Sequence, residues 1–256
     1  MGAGAVSKQS GLGDQLFVDG YDIGGDVQSI ASLSTPIATL EMTGITKSAM
    51  ERDFGIANAQ GEFTSFFNDA DDAAHEALKT LPRTDGHLMY LRGAAAGNQA
   101  IGMVGKRIDY AGSRGDDGSF TFGVNMQGSG NVADWCTQLT DGKITVTGAG
   151  NQDGVDLGGG GSKSFGFQAY LQVFAFTGTS ATIKLQTSSD DGAVDTYADL
   201  TDGAFTTVTG RTVQRIESSS ATATVERYVR VNVAGTFSNL VFAVIINRNN
   251  ATRYVS

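Results

Sequence analysis

Apolar and polar side chains alternate along residues 165–176. Phe165, Phe167, Ala169, Leu171, Val173 and Ala175 share one side, and Gly166, Gln168, Tyr170 and Gln172 the other. A period of two predicts a half-buried strand. Phe174 and Phe176 extend the apolar character to its outer side. Ile183 and Leu185 alternate with Lys184 and Gln186, and residues 227–233 alternate again. Residues 240–246 are apolar on both sides, which predicts a central, buried strand. Asp-Gly turns at 189–192 and 201–203 separate these runs. Upstream, strands are predicted at 27–33, 38–45, 63–67, 87–92, 100–110, 119–127 and 143–147.

The period changes to that of a helix most clearly over 68–81. Asn68 is placed to cap the first turn, with Asp71 answering three residues on. Asp69, Asp71 and Asp72 put negative charge at the positive end of the helix dipole. Ala74, Leu78 and Leu81 share a face, Lys79 lies in the last turn and Pro82 stops the helix. A shorter helical patch is predicted from Asn131, where Val132, Trp135 and Leu139 share a face with Trp135 as a core anchor. Between predicted strands lies a sixteen-residue stretch, 46–61, of mixed charge. Phe54 and Ile56 stand in it beside Arg52 and Asp53. Insertions of that length are uncommon in compact domains unless they contact something. Those two residues either tuck onto their own core or dock on a neighbouring subunit. The pattern as a whole predicts a mainly β protein, with one helix flanking a first sandwich or half-barrel and a second antiparallel sandwich after it.

Glycine divides the chain. Residues 148–162 contain Gly158-Gly159-Gly160-Gly161 and little that could form a core, so a flexible linker is expected at 151–162. The expected units are 1–150 and 163–256. Charge changes at the same place: residues 1–150 hold 18 acidic against 10 basic side chains, and residues 151–256 hold 9 against 8, within a whole-chain net of −9. No basic face is visible for gripping phosphates. An acidic wall would instead keep nucleic acid mobile beside it, although acidic charge also serves solubility. The first ten residues lack the apolar core of a signal peptide, and no apolar run is long enough to span a bilayer. Synthesis in a cytoplasm, without membrane insertion, is expected.

Chemistry is sparse. The single cysteine, Cys136, excludes an internal disulfide and a multi-cysteine metal site. His75 and His87 lack partners in any zinc-binding spacing. Residues 102–106 miss the spacing of a phosphate loop, and the glycines at 128–130 lack the βαβ context of a dinucleotide site. Asp190 and Asp191 sit in a turn, where aspartate is common for backbone reasons. No enzyme, cofactor or metal is expected.

The order of short patterns does carry a resemblance. Gly25-Asp26-Val27-Gln28-Ser29-Ile30, then residues 43–52, the Asn68-Asp69 helix start, Leu81-Pro82, the strand ending at Gly93 and the long hairpin 100–127 together resemble the major tail tube protein of long-tailed (siphovirus-type) bacteriophages. Residues 166–247, with Thr177-Gly178-Thr179-Ser180, the run 186–192 and the run 226–231, are similar to jelly-roll modules of the galactose-binding type. The resemblance implies a structural virion protein located in the tail and assembled in the host bacterial cytoplasm. Six subunits would form a ring, and rings would stack into a hollow tube that delivers DNA.

Its implied partners are other copies of the chain, a tape-measure protein, tail terminator and distal tail or baseplate proteins, and genomic DNA that passes without specific binding. The N-terminal arm and the stretch holding Arg52, Asp53, Phe54 and Ile56 would be the contacts between rings. Asp109, Asp116 and Asp117 in the long hairpin would face the channel, and residues 163–256 would project outwards. Two alternatives stand beside this reading. One is a lectin-like carbohydrate-binding protein, with Tyr197, Asp190 and Asp191 as glycan contacts. The other is the inner tube of a contractile tail or injection system.

Overall fold

The computed structural model describes residues 10–251. In chain order the elements are β1 (Gln15–Val18), β2 (Tyr21–Asp22), β3 (Val27–Ser34), β4 (Ile37–Glu41), β5 (Arg52–Ala57), β6 (Gln60–Phe66), α1 (Ala74–Leu78), β7 (Gly86–Leu91), β8 (Gln99–Arg114) and β9 (Phe120–Gly128). They continue with β10 (Asp134–Gln138), β11 (Ile144–Val146), β12 (Gly150–Asn151), β13 (Val155–Asp156), β14 (Phe167–Ser188), β15 (Ala198–Ala204), β16 (Thr212–Glu217) and β17 (Tyr228–Arg248). Every pairing is antiparallel, and the mainly β class expected from alternation holds.

The helix is shorter than its sequence signals. Asp72 takes a positive φ of 61°, which breaks the helical path before Ala74. Asn68 does not cap α1. Its side-chain oxygen accepts from the Ala70 amide, and its amide group donates to Asp26 Oδ1 at 2.8 Å. Asp26 Oδ2 accepts the Ala74 N–H at 3.0 Å, so the cap arrives from a distant segment. Leu81 falls beyond the helix and is exposed, while Ala74 and Leu78 are buried.

The second helical patch is a strand. β10 turns Asp134, Cys136 and Gln138 inwards and leaves Trp135 62% exposed, so Trp135 is not a core anchor. It lies between β8 and β17, and pairing on both sides decides its conformation over the helical spacing of Val132, Trp135 and Leu139.

Residues 151–162 are not a loose linker. β11, β12 and β13 each pair with β17. Asp156 receives two hydrogen bonds from Arg227, at 2.9 and 2.6 Å. The four glycines 158–161 all take positive φ, a path open to glycine alone at no steric cost. That path wraps their backbone around the buried guanidinium of Arg248, which donates to the carbonyls of Leu157, Gly158, Gly161 and Glu226. The glycines order the segment by satisfying an arginine.

Three clusters form the core. One lies under α1 and unites Leu16, Ile23, Phe63, Leu88 and Met126. A second fills the sandwich of β14 and β17. The third joins them: Phe17, Met89, Leu91 and Cys136 pack with Tyr170, Phe174 and Ile245. β14 is therefore covered on both faces where alternation predicted one. Gln172 is drawn into the join, accepting from the Gly20 N–H at 2.6 Å and donating to the His87 carbonyl at 3.1 Å. The hydrogen-bonded path runs unbroken from β15 through β14, β17, β10, β8, β7 and β1 to β2. The two expected units thus share a sheet and a core.

Candidate functional site

Two surfaces of the first half stand out because the chain does not complete them. The first is an arm. β4 and β5 pair only with each other, with Thr39 opposite Phe54 and Glu41 opposite Arg52. The stretch 46–61 is thus half of a hairpin. The Thr43 hydroxyl accepts the Glu51 N–H at 3.0 Å, and Lys47 meets Glu51 at 2.8 Å. Gly55 lets the strands close, since a Cβ there would stand 3.2 Å from Ala38. A two-stranded hairpin alone is marginal in water.

This arm exposes seven large apolar side chains: Ile37, Leu40, Met42, Ile45, Met50, Phe54 and Ile56. Phe54 is 76% exposed and Ile56 86%, so neither tucks onto its own core. Spaced two apart in β5, they project from one face. Arg52 contacts the Met50 sulfur at 3.0 Å, and Asp53 accepts the Phe54 N–H at 2.8 Å. The sequence pointed to Phe54 and Ile56. It did not point to Ile37, Leu40 and Met42, because they continue a strand pattern that reads as core.

The second surface is the four-stranded sheet β3-β6-β9-β8. One face carries Ile30, Phe63, Val124 and Met126 into the core. The other carries Ser32, Glu62, Thr64, Thr121, Asn125 and Asp109, with Asn125 donating to Glu62 at 3.2 Å. Both edges are open among the described residues. β3 pairs with β6 alone, and β8 beyond Lys106 pairs with β9 alone. Alternation explains the two-faced sheet, whereas the open edges follow from β7 ending where β8 continues.

Asp109 lies on the polar face, and Asp116 and Asp117 lie exposed in the β8–β9 turn. Hydrogen bonds from Ser119 hold the Asp117 carboxyl below its ordinary value. The N-terminal arm, as far as it falls in residues 1–9, lies outside the described residues.

Tyr197, Asp190 and Asp191 do gather in one loop region, with Tyr197 donating to Asp191 at 2.7 Å. One face of the Tyr197 ring is taken by Arg230, 4.1 Å from the ring centre. Asp190 accepts the N–H groups of Ala193, Val194 and Asp195. Burial works against its ionisation, yet those bonds hold its carboxyl below the ordinary value. These side chains are spent on their own loop.

His75 Nδ1 lies 3.0 Å from the Tyr110 hydroxyl, and burial lowers the pKa of His87 despite nearby Asp19 and Asp85. Among the described residues no three His, Cys, Asp or Glu side chains gather into a group that could hold a metal ion. Among the described residues no helix is long and apolar enough to cross a membrane.

No family model matches the chain, and no curated protein matches it. Among solved structures, the SPP1 Dit protein, described as a paradigm of the hub adsorption apparatus in phages infecting Gram-positive hosts, aligns with a TM-score of 0.32. Identity is 11%, over 92% of this chain and 99% of that one. Chains from the phage p2 baseplate, in its activated conformation with Sr and with Ca, align at a TM-score of 0.31 each. Identity there is 9% and 10%, over 93% of this chain and 99% of theirs. Scores and identities this low establish neither a common fold nor a common role.

Proposed function

We propose that the chain is a structural subunit of a phage tail tube. Copies join side by side into a ring of six, and rings stack into a channel for genomic DNA. The observation that carries this reading is the four-stranded sheet with a polar uncovered face and two open edges. Such a sheet invites strand pairing between copies, and a closed ring leaves no edge exposed. The polar face then lines the channel, and Asp109 and Glu62 add negative charge that repels phosphates. The arm, with Phe54 and Ile56 at its exposed strand and Arg52 and Asp53 beside them, makes the contact between rings. A tape-measure protein, tail terminator and baseplate proteins are the partners such a tube meets.

The test is negative-stain microscopy of the purified chain, with its mass in solution measured by light scattering. Rings or tubes are expected. A stable monomer at concentrations up to hundreds of micromolar would sink the reading.

A further inference from the structure

We propose that an aromatic shelf at one end of the sheet β3-β6-β9-β8 seats the arm of a second copy, so that copies join head to tail. The inference rests on the reading of the arm as an assembly element, and names the surface that receives it.

The shelf is a continuous set of rings. Tyr110 and Phe122 stack with centres 4.2 Å apart and planes 15° from parallel. Phe120 meets Phe122 edge-on at 4.9 Å. Phe67 lies 5.5 Å from Phe120 and 4.7 Å from His75. Tyr110 packs against the buried core under α1, whereas Phe67 and Phe120 are exposed. Rings rooted in a core but bare at their outer end form a firm apolar surface without a cover.

Position decides the occupant. β6 starts at Gln60, where the arm leaves the sheet, and ends at Phe66, next to the shelf. At about 3.3 Å per residue, the root of the arm and the shelf lie roughly 20 Å apart at opposite ends of one sheet. Phe54 and Ile56 are exposed, and so are Phe67 and Phe120, so the arm does not cover its own shelf. Two uncovered apolar surfaces at opposite ends of one chain meet only between copies, and a head-to-tail contact of that kind repeats from copy to copy, as a ring where the rotation closes and as an open stack where it does not.

Charge agrees. Arg52 on the arm makes no ion pair among the described residues. Asp69, Asp71, Asp116 and Asp117 flank Phe67 and Phe120, are exposed, and outnumber the cations Arg114 and Lys79 beside them. The arm carries Glu41, Glu51 and Asp53 as well as Lys47 and Arg52, so the contact with the aromatic surface rests on the apolar strand, with Arg52 the cation nearest Phe54 to meet the acidic rim.

The experiment uses the full chain and three variants. The arm variant is Phe54→Ser with Ile56→Ser, and the shelf variant is Phe67→Ser with Phe120→Ser. The third carries Phe54→Cys and Phe120→Cys. The only native cysteine, Cys136, is buried. Sedimentation should show each serine variant folded by circular dichroism, with polymer mass at least tenfold below wild type. Mixed in equal amounts, the two retain one intact arm and one intact shelf, and should form a single junction that stops growing. Mild oxidation of the cysteine variant should give a ladder of disulfide-linked copies.

A folded shelf variant that polymerises like wild type, or a mixture that forms no junction, would overturn the inference while leaving the tube reading standing. If the shelf variant fails to fold, the cysteine variant decides: assemblies without intermolecular 54–120 crosslinks overturn the proposal. A wild-type chain that forms no assembly at all defeats the tube reading itself.

Discussion

The ring of Phe17 meets the ring of Phe174 edge to face, with centres 4.7 Å apart and planes at 73°. Phe17 belongs to β1 and Phe174 to β14, so this contact fastens the two halves of the protein. Both rings are buried, and Met89, Leu91 and Ile245 complete the cluster around them. Truncating Phe174 to Ala should cost about 3–5 kcal/mol through lost burial and the cavity left behind. Urea unfolding monitored by circular dichroism measures it, and a cost below about 1 kcal/mol would show that the join collapses without penalty.

A chain cut after Gly158 should not fold as an independent unit. It loses β14 and β17, of which β17 pairs with β10, β11, β12 and β13, and bares the shared core cluster. The expected product is insoluble or binds a hydrophobic dye strongly. A soluble fragment with a sharp melting transition would contradict this.

Replacing Asp26 by Ala should destabilise the protein by about 0.5–2 kcal/mol, the range for losing a helix cap. The loss includes the bond to the Ala74 amide and the bond from Asn68. Asn68→Ala should cost less, because it removes one partner of Asp26 and leaves the cap in place. Equal costs for the two would place the cap elsewhere.

Gly102 lies against the ring of Tyr170, where an added Cβ would stand 2.6 Å from Cδ2. The Tyr170 hydroxyl donates to the buried carboxylate of Asp134, so the ring is not free to swing away. Gly102→Ala should therefore cost about 1–3 kcal/mol by overpacking. A neutral result in thermal unfolding would mean the ring moves more easily than its bonds imply.

The bonds from Arg227 lower the pKa of Asp156 from 3.8 to about 2, with the Gly158 N–H adding to them. A carboxyl depressed in the folded state stabilises it fully above the unfolded value. That stabilisation is lost as pH falls from about 4 towards 2. Proteolysis at the glycines 158–161, with an acid-active protease, should accelerate over that window. Arg227→Gln should already show fast cleavage near pH 5 and lose most of the pH step.

Alternation along the chain determined the class of this protein and placed β3, β7 and β9 close to where they run, but it split β14 and β17, each a single long strand, into two runs apiece. It succeeds there because a strand with one wet face writes its environment into every second residue. The same logic marked Phe54 and Ile56 as apolar residues out of place. It failed where neighbours rather than local pattern set the environment. Trp135 reads as an anchor but faces outwards, because β10 is held between β8 and β17 with Asp134 and Gln138 turned inwards. The cap of α1 comes from Asp26, a partner no window around residue 74 contains. Gly158 to Gly161 spell flexibility in composition, yet Arg248 orders them by offering its N–H groups to their carbonyls. The sheet that joins the halves, and the open edges and bare arm it leaves, depend on which strands end early and which continue. Those are matters of pairing across distant segments. Local sequence carries the preference of each strand, and only the packed chain decides what lies beside it.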